Sequence, residues 1–197
     1  VKIAQAVSYT GNSQFDAAFG EIVTEFRLTG AENENRTGTA GDDTFTAVQG
    51  AFNSTDRVNG GAGFATLNAH VSDVVAPSVS NVEHLQFQAQ HRTTDSGDNN
   101  VVDVVRPDTS AVVKVDFNTN VTNVTGFTTI ENSNSRADLI VEDVRIANNQ
   151  ITKDITIVMR ETDPGNVDYG VYFDQNSLRN VSSSSSQINL RVLDTYN

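Results

Sequence analysis

The acidic loop Asp95-Ser96-Gly97-Asp98-Asn99-Asn100 sets oxygen-bearing side chains at i, i+3, i+4 and i+5 around a glycine. Asp95 and Asp98 in that spacing resemble part of a loop that wraps a hard cation such as Ca²⁺. The terminal carboxylate that completes a helix-flanked calcium loop is missing, so the segment reads first as a solvated hairpin connection and second as a calcium loop. Two further segments carry the most specific local pattern in the chain. Thr37-Gly38-Thr39-Ala40-Gly41-Asp42-Asp43-Thr44-Phe45 and Asn59-Gly60-Gly61-Ala62-Gly63-Phe64-Ala65-Thr66-Leu67 both read as a glycine-rich turn, then Thr, then one apolar anchor. The corner Glu161-Thr162-Asp163-Pro164-Gly165-Asn166-Val167-Asp168 is explained by Pro164-Gly165 at the centre of a type II turn, without a ligand.

Catalytic signatures are absent from the sequence. There is no cysteine, hence no thiolate nucleophile and no thiolate zinc site. Neither a Gly-x-Ser-x-Gly elbow nor a phosphate-cradling loop occurs. His70, His84 and His91 could form a metal site only if the fold brought them together, and His84 reads as facing solvent on a strand. Asp103, Asp116, Glu142 and Asp143 could serve a polysaccharide-active enzyme, but among 25 acidic residues some fall close together by chance. The expectation is a protein that is not an enzyme.

The elements that must position these residues are extended. The chain has 26 Val, 21 Thr and 21 Asn but 3 Lys and 1 Met, a mixture that suits pleated strands and tight corners rather than helices. Alternation of apolar and polar residues marks Val113–Phe117, Ile155–Arg160, Val167–Asp174 and Ile188–Asp194, with shorter candidates at Leu139–Val141 and Val144–Ile146. Across Val82, Leu85 and Phe87 the alternation slips once, which predicts a bulge. One short helix is predicted at the front, where Ser13 caps an acidic turn running through Phe15 and Phe19. The run Ser182–Ser186 reads as an exposed corner. With 37% hydrophobic residues the core should be thin. The predicted fold is therefore all-β, either a β-helix or solenoid or a β-sandwich, in a single domain over 1–197. A change of composition allows a subdivision into a Gly-rich part, 1–70, and a strand-rich part, 71–197.

The two glycine turns resemble those of the hemolysin-type calcium-binding repeats, and especially the related strand repeats of bacterial surface-layer proteins. In that family a Thr-Leu-Asn strand and an Asn-Val-Glu strand commonly follow, and Thr66-Leu67-Asn68 and Ser80-Asn81-Val82-Glu83-His84-Leu85 stand in that order here. The resemblance spans residues 37–88. It implies that glycines turn carbonyl oxygens inward while an aspartate closes an oxygen cage around Ca²⁺. Carried over by position, Gly38, Gly41 and Asp43 match the first turn and Asp42 adds a carboxylate. Gly60, Gly61 and Gly63 match the second, but Ala65 occupies the closing aspartate position, which removes a ligand there.

A net charge of −12 disfavours nucleic-acid backbones, whose binding relies on Lys and Arg. No apolar run is long enough to span a bilayer as a helix, so membrane insertion is not expected. Five Asn-x-Ser/Thr sequons, at Asn35, Asn53, Asn120, Asn123 and Asn180, are near chance in this composition. These readings converge on a structural module of an extracellular assembly, on a cell surface or in a virus particle. Its expected partners are copies of itself or other structural subunits, with Ca²⁺ as the cofactor to test. An adhesin or receptor-binding domain is the alternative, with Tyr169, Tyr172 and Tyr196 as its aromatic supply, and a polysaccharide-active β-helix enzyme is the third.

Overall fold

The structure, a computed structural model, describes residues 23–90, 112–116, 124–125, 127–144, 155–162, 167–173 and 188–193. They contain fourteen strands and no helix. Seven strands make the largest sheet, in the order β1 (Thr24–Leu28), β3 (Asp43–Ala47), β5 (Ala65–Val71), β7 (His84–Ala89), β10 (Thr129–Ser133), β12 (Ile155–Arg160) and β14 (Ile188–Leu193). A second sheet runs β2 (Asn35–Thr37), β4 (Arg57–Asn59), β6 (Ser78–Ser80), β9 (Val124–Thr125). The third holds β11 (Asp138–Val144) between β13 (Tyr169–Phe173) and β8 (Val112–Asp116).

Every strand pairing in these sheets is parallel. A parallel neighbour cannot be reached by a hairpin turn, so between two strands of the large sheet the chain must travel away and return. From β1 to β7 it does so through a strand of another sheet: β2 lies between β1 and β3, β4 between β3 and β5, and β6 between β5 and β7. The described residues are all-β, as expected, and their parallel sheets are unlike a β-sandwich, whose sheets are antiparallel. The predicted helix at residues 13–19 and the corner at Ser182–Ser186 lie outside the described residues.

Parallel register sets like on like. Phe26, Phe45, Leu67, Leu85, Ile130, Ile157 and Leu190 are successive register partners across the whole large sheet. The four from Phe45 to Ile130 are fully buried, and Phe26 stacks on Phe45 with ring centroids 5.0 Å apart. Each such side chain contributes about 1.5–3 kcal/mol through removal from water. The intervening residues, among them Thr44, Thr66, His84 and Thr129, point to the other face of the sheet.

Asparagine earns its abundance at the corners. Asn33, Asn81 and Asn134 all have left-handed backbone, at φ 59°, 51° and 53°, a region in which a short amide side chain is tolerated better than most. The slip at Val82 is such a corner, not a bulge: Asn81 turns the chain, and β7 then alternates without interruption from His84 to Ala89. The short candidate at 139–141 and Val144, the described residue of the candidate at 144–146, belong to one strand, β11, whose pairing with β13 shifts between Val141 and Val144.

Candidate functional site

The first glycine turn joins β2 to β3, and its acidic residues are tied to the backbone. Asp43 is buried at the start of β3. Its Oδ2 accepts the Thr39 N–H at 2.7 Å and its Oδ1 accepts the Thr39 hydroxyl at 2.9 Å. Thr39 Oγ1 in turn accepts the Gly41 N–H at 3.2 Å. Asp42 reaches to the second turn, where its Oδ1 accepts the Phe64 N–H at 2.6 Å. The turns also bond to each other directly: Gly38 N–H donates to Asn59 O at 2.7 Å, Gly60 N–H to Ser80 O at 2.9 Å and Ala62 N–H to Thr39 O at 3.1 Å. Gly38 and Gly60 thus lie where one corner presses on the next. A methyl group added at Gly38 would overlap the Gly60 carbonyl, and one added at Gly60 would overlap that of Asn81.

Ala65, in the closing aspartate position of the second turn, lies beside Asp43 in the register. Its N–H is capped by another residue: Glu83 Oε2, from the start of the following pass, accepts it at 2.7 Å. Inside the second turn the Gly61 N–H, which matches Thr39 by position, is accepted by Asn59 Oδ1 at 3.0 Å. Gly38, Gly41, Asp42 and Asp43 lie in the first turn, with N–H and O–H donors directed at the carboxylate oxygens of Asp42 and Asp43. Asp95 and Asp98 lie outside the described residues. Among the described residues no three His, Cys, Asp or Glu side chains converge in a group able to hold a metal ion.

Two corner carboxylates escaped the sequence reading. Glu34 accepts the N–H groups of Thr29 and Gly30 at 2.7 and 3.0 Å through Oε2, and Arg36 reaches its Oε1 at 2.7 Å. Asp56 accepts the Asn53 N–H at 2.9 Å, while its other oxygen is buried without a partner. Burial raises the Asp56 pKa, and the nearby Glu34 charge pushes the same way. The signal available for both was an acidic residue a few positions from a turn, which is too common to single them out.

A second polar assembly sits on the outer face of the large sheet. Glu131 on β10 stands in register with Gln86 on β7, and is 3% exposed. His84 Nε2 lies 3.0 Å from its Oε2, and Arg160 Nε donates to its Oε1 at 2.7 Å. Burial by itself would raise the Glu131 pKa, but the bonds and charges of His84 and Arg160 outweigh it and hold the carboxyl below its ordinary value. The solvent-facing His84 of the sequence reading is thus half of a buried-carboxylate contact. Glu131 and Arg160 went unread because neither carries a motif; only the pairing of strands far apart in sequence joins them.

The remaining candidates are dispersed. His70 on β5 pairs with Gln88 while His84 pairs with Thr66, four positions or about 13 Å away along the strands. His91 and Asp103 lie outside the described residues. Backbone register sets Asp116 beside Glu142. Tyr169, read as part of an exposed aromatic supply, instead packs against the core with its hydroxyl buried and unpartnered, and burial, followed by the Glu131 charge, drives its pKa well above 10. Tyr172 is exposed. Comparison of the chain with known protein families, curated proteins and solved structures returns no match.

Proposed function

We propose that this chain is a parallel β-solenoid and a non-enzymatic structural module of an extracellular assembly, surface-layer-like or part of a virion, acting by association with copies of itself or with neighbouring subunits. The observation that carries the reading is the use made of its carboxylates. Asp42, Asp43, Glu34 and Glu83 hold backbone N–H groups at corners, and Glu131 ties three strands of one sheet together. These groups build a stack of passes, and their acceptor oxygens face donors of the chain itself. A solenoid grows by repetition of its own contacts, so its function is geometric: it spaces and presents surfaces.

The parallel register and the stacked glycine corners support the solenoid and the kinship with surface-layer strand repeats. At net −12, copies repel one another, and Ca²⁺ or salt would lower that barrier. The test is sedimentation velocity over a wide concentration range at low salt, with Ca²⁺ and with a chelator. Concentration-dependent association is expected, strengthened by Ca²⁺. A chain that stays monomeric at every concentration in both conditions refutes the reading.

A further inference from the structure

We propose that the side of β14 that pairs with no other described strand is the docking surface for the corresponding outer side of β1 in a second copy, so that molecules join head to tail; this deepens the self-association reading and rests on it. β14 ends the seven-strand order, and the apolar row that runs through the sheet surfaces there. Ile188, Leu190 and Val192, which continue the row positions of Ile155, Ile157 and Met159, are 44%, 73% and 68% exposed. An apolar stripe alternating along a terminal strand, beside a line of backbone groups facing away from β12, is a template for strand addition.

The occupant follows from the direction of the strands. All seven run parallel, so a second copy stacked in the same orientation brings the outer side of its β1 against the outer side of β14 as a further parallel pair. Charge selects the register. Glu25 on β1 and Arg191 on β14 are both exposed and belong to the same outer face. Continuing the sheet's own register would set Leu190 beside Phe26 and oppose Arg191 to Arg27, whereas a slip of two residues along the strand sets Arg191 beside Glu25 and Val192 beside Phe26, still on the inward face. Such a joint is heterologous and does not close on itself, so it leads to chains of copies rather than a dimer.

The experiment is sedimentation equilibrium of the full chain at about 0.15 M salt, where charges beyond about 8 Å are screened. It compares wild type with Arg191→Glu, Glu25→Arg, the double variant carrying both, and Leu190→Lys. Wild type is expected to form a series extending past the dimer. Each single charge variant is expected to weaken association about tenfold, Leu190→Lys by about 100-fold, and the double charge reversal to restore most of the loss. The charge variants sit at exposed positions, and far-UV circular dichroism checks that they stay folded. Association unaffected by any of these changes overturns the joint while leaving self-association standing. Association that stops at a dimer and ignores Glu25→Arg overturns it in favour of a two-fold β14 contact. A wild-type chain that is monomeric throughout overturns both.

Discussion

Replacing Gly60 by alanine tests whether stacked corners hold this molecule together. Gly60 is not among the residues with left-handed backbone, so alanine meets no conformational penalty there. What it meets is its own turn and the neighbouring pass: the new methyl would lie 2.6 Å from Ala65 Cβ at the end of the same turn and 2.8 Å from the carbonyl carbon of Asn81 on the next pass, with the Asn81 carbonyl oxygen closer still. Ordinary contacts begin near 3.4 Å, so the Asn81 carbonyl oxygen and the new methyl must separate by more than 1 Å. That strains the bonds from Gly60 N–H to Ser80 O and from Gly38 N–H to Asn59 O. The expected loss is about 3 kcal/mol, or roughly 6–12 °C in Tm for a chain of this size. Gly50 is the matched control. It has φ 77° and nothing within 4 Å of an added methyl, so Gly50→Ala should cost only the backbone term, about 1 kcal/mol. Urea unfolding followed by far-UV circular dichroism measures both. If Gly60→Ala proves no more harmful than Gly50→Ala, the close approach of the corners is not what stabilises the stack.

Glu131→Gln leaves His84 and Arg160 facing a neutral group and should destabilise the chain by about 2 kcal/mol at neutral pH. Because the folded-state pKa of Glu131 is lowered, its contribution is full above the unfolded value near 4.5 and disappears as pH falls through the folded value. The gap between wild type and variant should therefore close on acidification below about pH 4.5, and a gap that persists unchanged at pH 3 would contradict this account. Tyr169→Phe removes a buried hydroxyl that lacks a partner and sits in the field of Glu131. It should be neutral or stabilising by up to about 1 kcal/mol, and a clear loss of stability by thermal unfolding would show that the hydroxyl holds something.

Much of the strand content was legible because alternation survives wherever one face of a strand is buried. Ile155–Arg160 matches β12 residue for residue, and Ile188–Asp194 and Val113–Phe117 fall within one residue of β14 and β8. The glycine turns were legible too, since the approach of Gly38 to Gly60 and of Gly60 to Asn81 leaves no room for a side chain. The three-residue strands β2, β4 and β6 were not, being too short to display a period. Nor was β10: its sequence Thr-Ile-Glu-Asn-Ser carries one apolar residue, and its burial comes from the neighbours that cover Glu131 and Asn132.

Local chemistry by itself determined that this chain is extended, that it turns at glycine and asparagine, and that it carries a large negative charge. These properties depend on rotamer freedom, backbone sterics and ionisation, all of which act over a few residues. Parallel order, the shared row from Phe26 to Leu190, and the meeting of His84, Glu131 and Arg160 were decided by tertiary structure alone. Strands 18 to 45 residues apart become neighbours only when several corners stack at once, and no single segment encodes that spacing.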